Sequence, residues 1–136
     1  MKYEFDVIGN IVGKERPRVN TYTGRVYTPG RTKDYELLIQ QYFKIKYPHS
    51  KMLERRLKID IIAYFKIPKN TSKLKTEEML ENKISPIKKP DIDNIAKSVL
   101  DAMNGYVFKD DNQVCKLNVE KKYGLEEKIF IVVEEY

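Results

Sequence analysis

The alternation of apolar and polar residues along the chain predicts the strands of a β-sheet. Residues 2–12 and 56–67 show it most clearly, because apolar side chains recur at every second position over much of each segment. Further strands are predicted at 106–108, 113–123 and 128–135. Strands with a two-residue repeat bury one face, so these segments are expected to pack against helices.

Apolar residues at helical spacing predict two longer helices and one short helix. The first covers residues 32–47, and the short one lies within residues 69–83. The central helix begins after Pro90 and stops at Asn104–Gly105, a C-terminal stop signal. Its apolar stripe consists of Ile92, Ile95, Ala96, Val99, Leu100 and Met103.

A basic hairpin is predicted between the first strand and the first helix. Thr23–Gly24 is the expected turn between two short strands that contain Tyr22 and Tyr27. The order of all these elements predicts an α+β (mixed α/β) fold, in which helices pack on a mixed β-sheet. A chain of 136 residues suits a single domain, residues 1–136.

The charge of the chain favours an anionic partner. Its formal net charge is +6 at pH 7, and nucleic acid is the commonest partner of basic proteins. No apolar run reaches the roughly 18 residues that span a bilayer, so no membrane partner is expected. The N-terminal segment has no apolar signal-peptide core, and we therefore expect a cytoplasmic protein.

Cysteine and histidine are too scarce for several kinds of site. The chain has one of each, Cys115 and His49, which excludes an intramolecular disulfide and a zinc site of the usual type within one chain. A metal ion would need oxygen ligands, which favours Mg²⁺ or Mn²⁺. Cys115 lies in an alternating pattern and is expected to be a buried, inert thiol.

Two pairs of aspartates stand out in this basic chain. Asp91 and Asp93 lie at the start of the central helix, and Asp110 and Asp111 are adjacent in a predicted turn. Taken alone, the first pair could be a helix cap and part of a solvated charge ladder. If the turn returns to the helix start, the carboxylates converge; two of them 4 Å apart repel by about 4 kcal/mol, which favours a bound divalent cation.

Two other acidic motifs fit poorly. An EF-hand loop that began at Asp91 would need glycine at its sixth position and glutamate at its twelfth, where the chain has Ala96 and Ala102. A phosphatase-type pair would follow a hydrophobic strand, whereas residues 85–90 read SPIKKP and precede a helix. Neither motif accounts for both aspartate pairs.

The segment from Lys88 to Val114 resembles the RusA family of Holliday junction resolvases, small endodeoxyribonucleases of bacteria and their prophages. The shared features are a D-x-D-N helix start, a lysine one turn later, a downstream aspartate and a D-D-x-Q-V turn. In this chain they are Asp91, Asp93, Asn94, Lys97, Asp101, Asp110, Asp111, Gln113 and Val114. The segment GKERPRVN, residues 13–20, is also similar to the basic entry segment of that family.

The resemblance implies a homodimer that binds four-way junction DNA and nicks it with Mg²⁺, in DNA recombination and repair. Asp91, Asp93 and Asp111 would be the metal-binding and catalytic carboxylates, and Lys97 the catalytic lysine. Asp110 is a further metal ligand candidate. Asn94 and Asp101 would have supporting roles, Asp101 by holding Lys97.

Basic residues would hold DNA phosphates without reading the base sequence. The candidates are Lys14, Arg16, Arg18, Arg25, Arg31, Lys33, Lys88 and Lys89. Tyr22 or Tyr27 could stack on an opened base, although hairpin tyrosines more commonly pack on their neighbours. Two other functions stay open: a nuclease of the same fold acting on flaps or forks, and a DNA-binding module without catalytic activity.

Overall fold

The computed structural model describes residues 1–27 and 29–136. Within these ranges the chain forms a four-stranded sheet, a two-stranded ribbon and three α-helices. In chain order the elements are β1 (Lys2–Ile8), β2 (Arg18–Val19), β3 (Val26–Tyr27), α1 (Gly30–Lys46), β4 (Leu57–Lys66), α2 (Lys73–Leu80), α3 (Ile92–Met103), a 3₁₀ helix (Asp111–Gln113), β5 (Val114–Gly124) and β6 (Lys128–Glu135). Among the described residues, no helix combines the length and hydrophobicity that crossing a membrane requires.

The main sheet is mixed, with the strand order β1-β6-β4-β5. β6 pairs antiparallel with both β1 and β4, whereas β5 pairs parallel with β4. A parallel pair needs a long crossover connection, and the segment that contains α2 and α3 provides it. The α+β fold with a mixed sheet, predicted from the order of the elements, is therefore confirmed.

One face of the sheet carries the hydrophobic core, which α1 and α3 cover. Every second residue of β1, β4 and β6 is buried, as the alternation predicts. These residues are Tyr3, Phe5, Val7, Leu57, Ile59, Ile61, Ala63, Phe65, Ile129, Ile131 and Val133. Because burial of one large apolar side chain contributes about 1.5–3 kcal/mol, this face accounts for much of the gross stabilisation.

The predicted stripe of α3 needs one correction. Ile95, Ala96, Val99 and Met103 are buried, but Ile92 is 45% exposed. Ile92 is the first helical residue, so it lies beyond the part of α3 that packs on the sheet. Residues 98 and 102, a serine and an alanine, are buried beside the stripe.

Two short strands were placed wrongly. Residues 106–108 form a tight loop, in which Gly105 has a φ of +73° and its N–H donates to the carbonyl oxygen of Phe108 at 2.8 Å. A left-handed backbone is a conformation that glycine adopts without strain, and it turns the chain before a strand can begin. Tyr22 lies in the turn between β2 and β3, outside the strand predicted to contain it.

The prediction that Cys115 is buried is wrong, because the thiol is exposed. Leu57 pairs with Val114 and Lys58 with Lys116, so Cys115 is an extra residue in a β-bulge. A bulge breaks the alternation of faces along a strand. β5 is also an edge strand, and its residues 115–118 are all exposed.

Candidate functional site

The N-terminus of α3 presents two exposed carboxylates. Asp91 occupies the N-cap position, where its carbonyl oxygen accepts the N–H of Ile95 at 3.0 Å. Its side chain makes no capping hydrogen bond, and Asp93 follows in the first turn. The free N–H groups and the dipole at a helix start stabilise negative charge. The fold therefore keeps both carboxylates available to a ligand and does not use Asp91 as a side-chain cap.

Residues 11–18, here called the crossing segment, lie across the first half of α3. Two hydrogen bonds fix it: the Lys14 N–H donates to the carbonyl of Asn94 at 2.9 Å, and the Ser98 hydroxyl donates to that of Val12 at 2.8 Å. Between them, a side chain at Gly13 would place its Cβ 2.7 Å from the Cβ of Pro90. Only glycine therefore allows this close approach.

The crossing segment and the start of α3 enclose an open cleft of mixed charge. Its lining residues are Lys14, Glu15, Arg16, Pro17, Arg18, Asp91, Asp93 and Asn94. A second cleft also borders the crossing segment and Asp91, and it includes Arg31 and Lys89. Two carboxylates beside several cations suit a phosphate group that is bound together with a metal ion.

The polar face of α3 carries a network of charges centred on Asp101. The Asp101 carboxylate lies 3.0 Å from the Lys97 ammonium and 3.2 Å from that of Lys14. Lys14 also lies 2.7 Å from Glu36 of α1. Burial alone would lower the pKa of Lys14, but its hydrogen bonds to Glu36 and Asp101 outweigh that effect and raise the pKa above its ordinary value. Lys97 contacts Asp101 as the i+4 spacing predicts, and Lys14 is held between two carboxylates.

Lys14→Met is expected to lower the free energy of unfolding by about 1–3 kcal/mol, because Glu36 and Asp101 would lose the cation that they share in a largely buried place. Lys97→Met is the matched control. Its side chain is 57% exposed, and an exposed i, i+4 pair contributes about 0.5 kcal/mol or less. Urea denaturation followed by circular dichroism measures both changes, and equal losses would contradict a structural role for Lys14.

The second aspartate pair belongs to residues 110–113, here called the acidic turn. Asp110 is its N-cap: its carboxylate accepts the N–H of Asn112 at 3.0 Å, and its own N–H donates to the Gln113 side chain at 2.8 Å. The Gln113 amide group donates in turn to the carbonyl oxygens of Leu53 and Arg55, at 3.1 and 2.8 Å. Asp110 and Gln113 thus shape the turn and tie it to the segment before β4.

The acidic turn lies at the end of α3 opposite to Asp91. The N–H of Asp111 donates to the side chain of Asn104, the C-cap residue of α3, at 3.1 Å. The 12 residues of α3 span about 18 Å at ~1.5 Å per residue. The predicted convergence of three or four carboxylates from the two aspartate pairs within one chain is therefore wrong. Among the residues that the structure describes, no three Asp, Glu, His or Cys side chains form a group that could hold a metal ion.

Of the remaining basic candidates, four line the clefts at the start of α3: Arg16, Arg18, Arg31 and Lys89. Arg16, Arg18, Arg25, Arg31, Lys33, Lys88 and Lys89 are all exposed. The Arg18 guanidinium lies 3.4 Å from the Glu15 carboxylate, and the Lys88 ammonium lies 5.3 Å from the centre of the Phe65 ring. Lys14 differs from this set because its ammonium is largely buried and lies between two carboxylates. DNA contact by these residues stays a prediction.

Three residues shape the site in roles that the sequence did not predict, although Gln113 belongs to the family motif. Glu36 pairs with Lys14, Ser98 anchors the crossing segment, and Gln113 fixes the acidic turn. For Ser98 the sequence does carry a signal, since a serine beside an apolar helical stripe needs a buried hydrogen-bond partner. Glu36 gives no comparable signal, because charged residues on a helix are usually solvated.

Comparison with known proteins gives two matches over most of the chain. The family model described as "Endodeoxyribonuclease RusA" matches residues 9–134. The "Uncharacterized protein YqaN" of Bacillus subtilis (strain 168) is 31% identical over 136 residues, which covers 97% of this chain and 95% of the relative. The family match includes the crossing segment, α3 and the acidic turn.

Proposed function

Because this chain belongs to the RusA endodeoxyribonuclease family, we propose that it resolves four-way (Holliday) junctions by paired nicks during DNA recombination and repair. The observation that carries this proposal is the pair of exposed carboxylates at the start of α3, Asp91 and Asp93, beside the cationic crossing segment. A metal-dependent nuclease needs such a combination, because the substrate phosphate and a catalytic cation must be bound in the same place.

The donor set at this helix start fits Mg²⁺, with Mn²⁺ as an alternative. Mg²⁺ is usually held by one or two carboxylates together with waters and substrate phosphates. Asp91 and Asp93 would hold it here. When bound, the ion would lower the pKa of a coordinated water and neutralise charge on the scissile phosphate.

The neighbouring side chains would bind and orient the DNA strand. Lys97 lies one helical turn after Asp93, and its ammonium would stabilise negative charge that develops on the phosphoryl oxygens. Asp101 holds Lys97 by an ion pair at 3.0 Å and so limits the positions that its ammonium can take. Asn94 lines both clefts, where its amide group would bond a phosphate oxygen.

A second copy of the chain completes this site in our proposal. The resemblance to the family implies that Asp111 is a metal ligand, with Asp110 as a further candidate, yet one chain holds the acidic turn at the far end of α3. A two-fold arrangement with the helices antiparallel would bring the acidic turn of one copy to the helix start of the other. The proposed enzyme is therefore a homodimer with two sites, which suits the cutting of two strands of one junction.

Incubation of end-labelled four-way junction with the protein tests this function. We expect paired nicks in Mg²⁺ and none in EDTA, read as cleaved strands on a denaturing gel. The same assay is run in parallel on fork and flap substrates that have the same arm sequences. Preferential cutting of forks or flaps would favour a different branched substrate, and binding without cleavage in either Mg²⁺ or Mn²⁺ would favour a non-catalytic DNA-binding module.

A further inference from the structure

The β2–β3 hairpin, residues 18–27, stands free of the core. Its two strands pair only with each other, through Arg18 with Tyr27 and Val19 with Val26. Every residue from 18 to 27 is exposed, and the two valines are 59% and 69% exposed. A structured element that leaves apolar side chains in water indicates a surface for a partner.

The tip of this hairpin is organised by Asn20. Its side-chain oxygen accepts the N–H groups of Tyr22 and Thr23 at 2.9 and 3.2 Å, and its backbone bonds Arg25 and Gly24 at 2.8 and 2.7 Å. Gly24 has a φ of +70°, which closes the turn. The backbone under Tyr22 is thus fixed before any partner binds, which reduces the entropy lost on binding.

Tyr22 is the most exposed aromatic residue recorded in the described part of the chain, at 98%. Among those residues, no aromatic ring or cation stacks on it. The common alternative for a hairpin tyrosine, packing on a neighbour, is therefore excluded in this structure. The ring presents both faces to solvent from a rigid turn.

The hairpin that carries the ring is cationic. Arg18 and Arg25 belong to the hairpin itself, and Arg16 precedes it by two residues. The hairpin follows directly after the crossing segment, and that segment lines the cleft that contains Asp91 and Asp93. A polyanion held in that cleft would therefore lie beside the hairpin, with its charge matched by these arginines.

We propose that Tyr22 is a stacking residue for an unpaired base at the branch point of the DNA. This inference rests on the proposed binding of branched DNA and extends it to a residue that recognises the branch. Within a perfect duplex both faces of each base are covered by neighbouring bases, so a protein ring can stack only on a base that has left the helix. Tyr22 would thus favour branched over fully paired DNA.

The test compares wild type, Tyr22→Ala and Tyr22→Phe in EDTA, where binding is separated from cleavage. Fluorescence anisotropy measures affinity for a labelled four-way junction and for a duplex of the same arm sequence. Removal of one aromatic stack weakens single-strand binding by about 5- to 150-fold. Tyr22→Ala should therefore lose at least about fivefold in affinity for the junction and less than about twofold in affinity for the duplex. Tyr22→Phe should behave as wild type, because it keeps the ring.

Leu125→Ala is the matched control, since it removes another exposed apolar side chain, 78% exposed, from the β5–β6 turn. Any of three outcomes would overturn the inference. Tyr22→Ala could keep the junction selectivity of wild type, or it could lose equal affinity for junction and duplex. Tyr22→Phe could bind the junction as weakly as Tyr22→Ala. A 2-aminopurine base at the branch gives a second readout: its fluorescence should respond to wild type and Tyr22→Phe and not to Tyr22→Ala.

The two proposals fail in different ways. If wild type cuts junctions while Tyr22→Ala keeps full junction selectivity, the stacking role is wrong and the nuclease proposal stands. If wild type cuts no branched DNA but Tyr22→Ala alone loses junction selectivity, recognition of the branch stands and the proposed cleavage is wrong.

Discussion

Asp91→Asn is expected to reduce strand nicking by about 10³-fold, because a metal ion supplies several kcal/mol of transition-state stabilisation and each 1.36 kcal/mol changes the rate tenfold. Junction affinity should stay within about twofold or rise slightly, since the substitution removes a negative charge and leaves every cation in place. Asparagine keeps the shape of the side chain, and Asp91 makes no capping hydrogen bond that the change would break.

Asp6→Asn is the matched control for this variant. It removes the same charge from β1, on the sheet face opposite to the helices, where the Asp6 carboxylate pairs with the Lys128 ammonium at 3.6 Å. The nicking rate is measured on a labelled junction in single-turnover conditions, and affinity by anisotropy in EDTA. Nicking by Asp91→Asn at the wild-type rate would remove the helix start from the proposed site.

Mixing Asp91→Asn with Asp111→Asn subunits is expected to restore nicking to two otherwise inactive variants. If each site takes Asp91 from one copy and Asp111 from the other, a mixed dimer contains one intact site and one site with both defects. Random mixing makes about half of the dimers mixed, so activity should return to about a quarter of the wild-type sites. The products should be single nicks, because only one strand per junction meets an intact site.

The same mixture gives a different result if each site lies within one chain. Every site in the mixed dimer would then carry one defect, and nicking would stay at the level of the separate variants. Co-expression with two different affinity tags isolates the mixed dimer for this comparison. Failure of complementation in an isolated mixed dimer would therefore contradict the shared site, whereas the Asp91→Asn variant tests the helix start independently.

The hydrophobic pattern was sufficient to predict two central strands of the sheet, β4 and β6. The strand predicted at 128–135 is the observed β6, and the strand predicted at 56–67 differs from β4 by one residue at each end. The cause is physical: each strand buries one face against helices, and burial imposes the two-residue repeat on the sequence.

The position of the acidic turn was not predictable in the same way. It depends on a left-handed Gly105 and on side-chain hydrogen bonds from Gln113 to Leu53 and Arg55, which are 60 and 58 residues away in sequence. No local pattern of hydrophobicity records such contacts. The sequence could therefore identify Asp110 and Asp111 as unusual, but it could not determine which end of α3 they occupy.

The hydrogen bonding of the Asp91 carboxylate was not predictable either. A residue type favoured at helix starts predicts an N-cap, and Asp91 does occupy that position. The residue type does not tell whether its carboxylate bonds the helix, and here the side chain makes no capping hydrogen bond. That outcome depends on side-chain conformation, which no local pattern of residue types records.

The bulge in β5 exposes a thiol that can be labelled without any substitution in the chain. Cys115 is the single cysteine, its thiol is exposed, and it lies two residues beyond Gln113 of the acidic turn. A maleimide dye would therefore attach at one defined position per chain. Energy transfer between donor-labelled and acceptor-labelled molecules would then test for the proposed dimer from a position next to that turn.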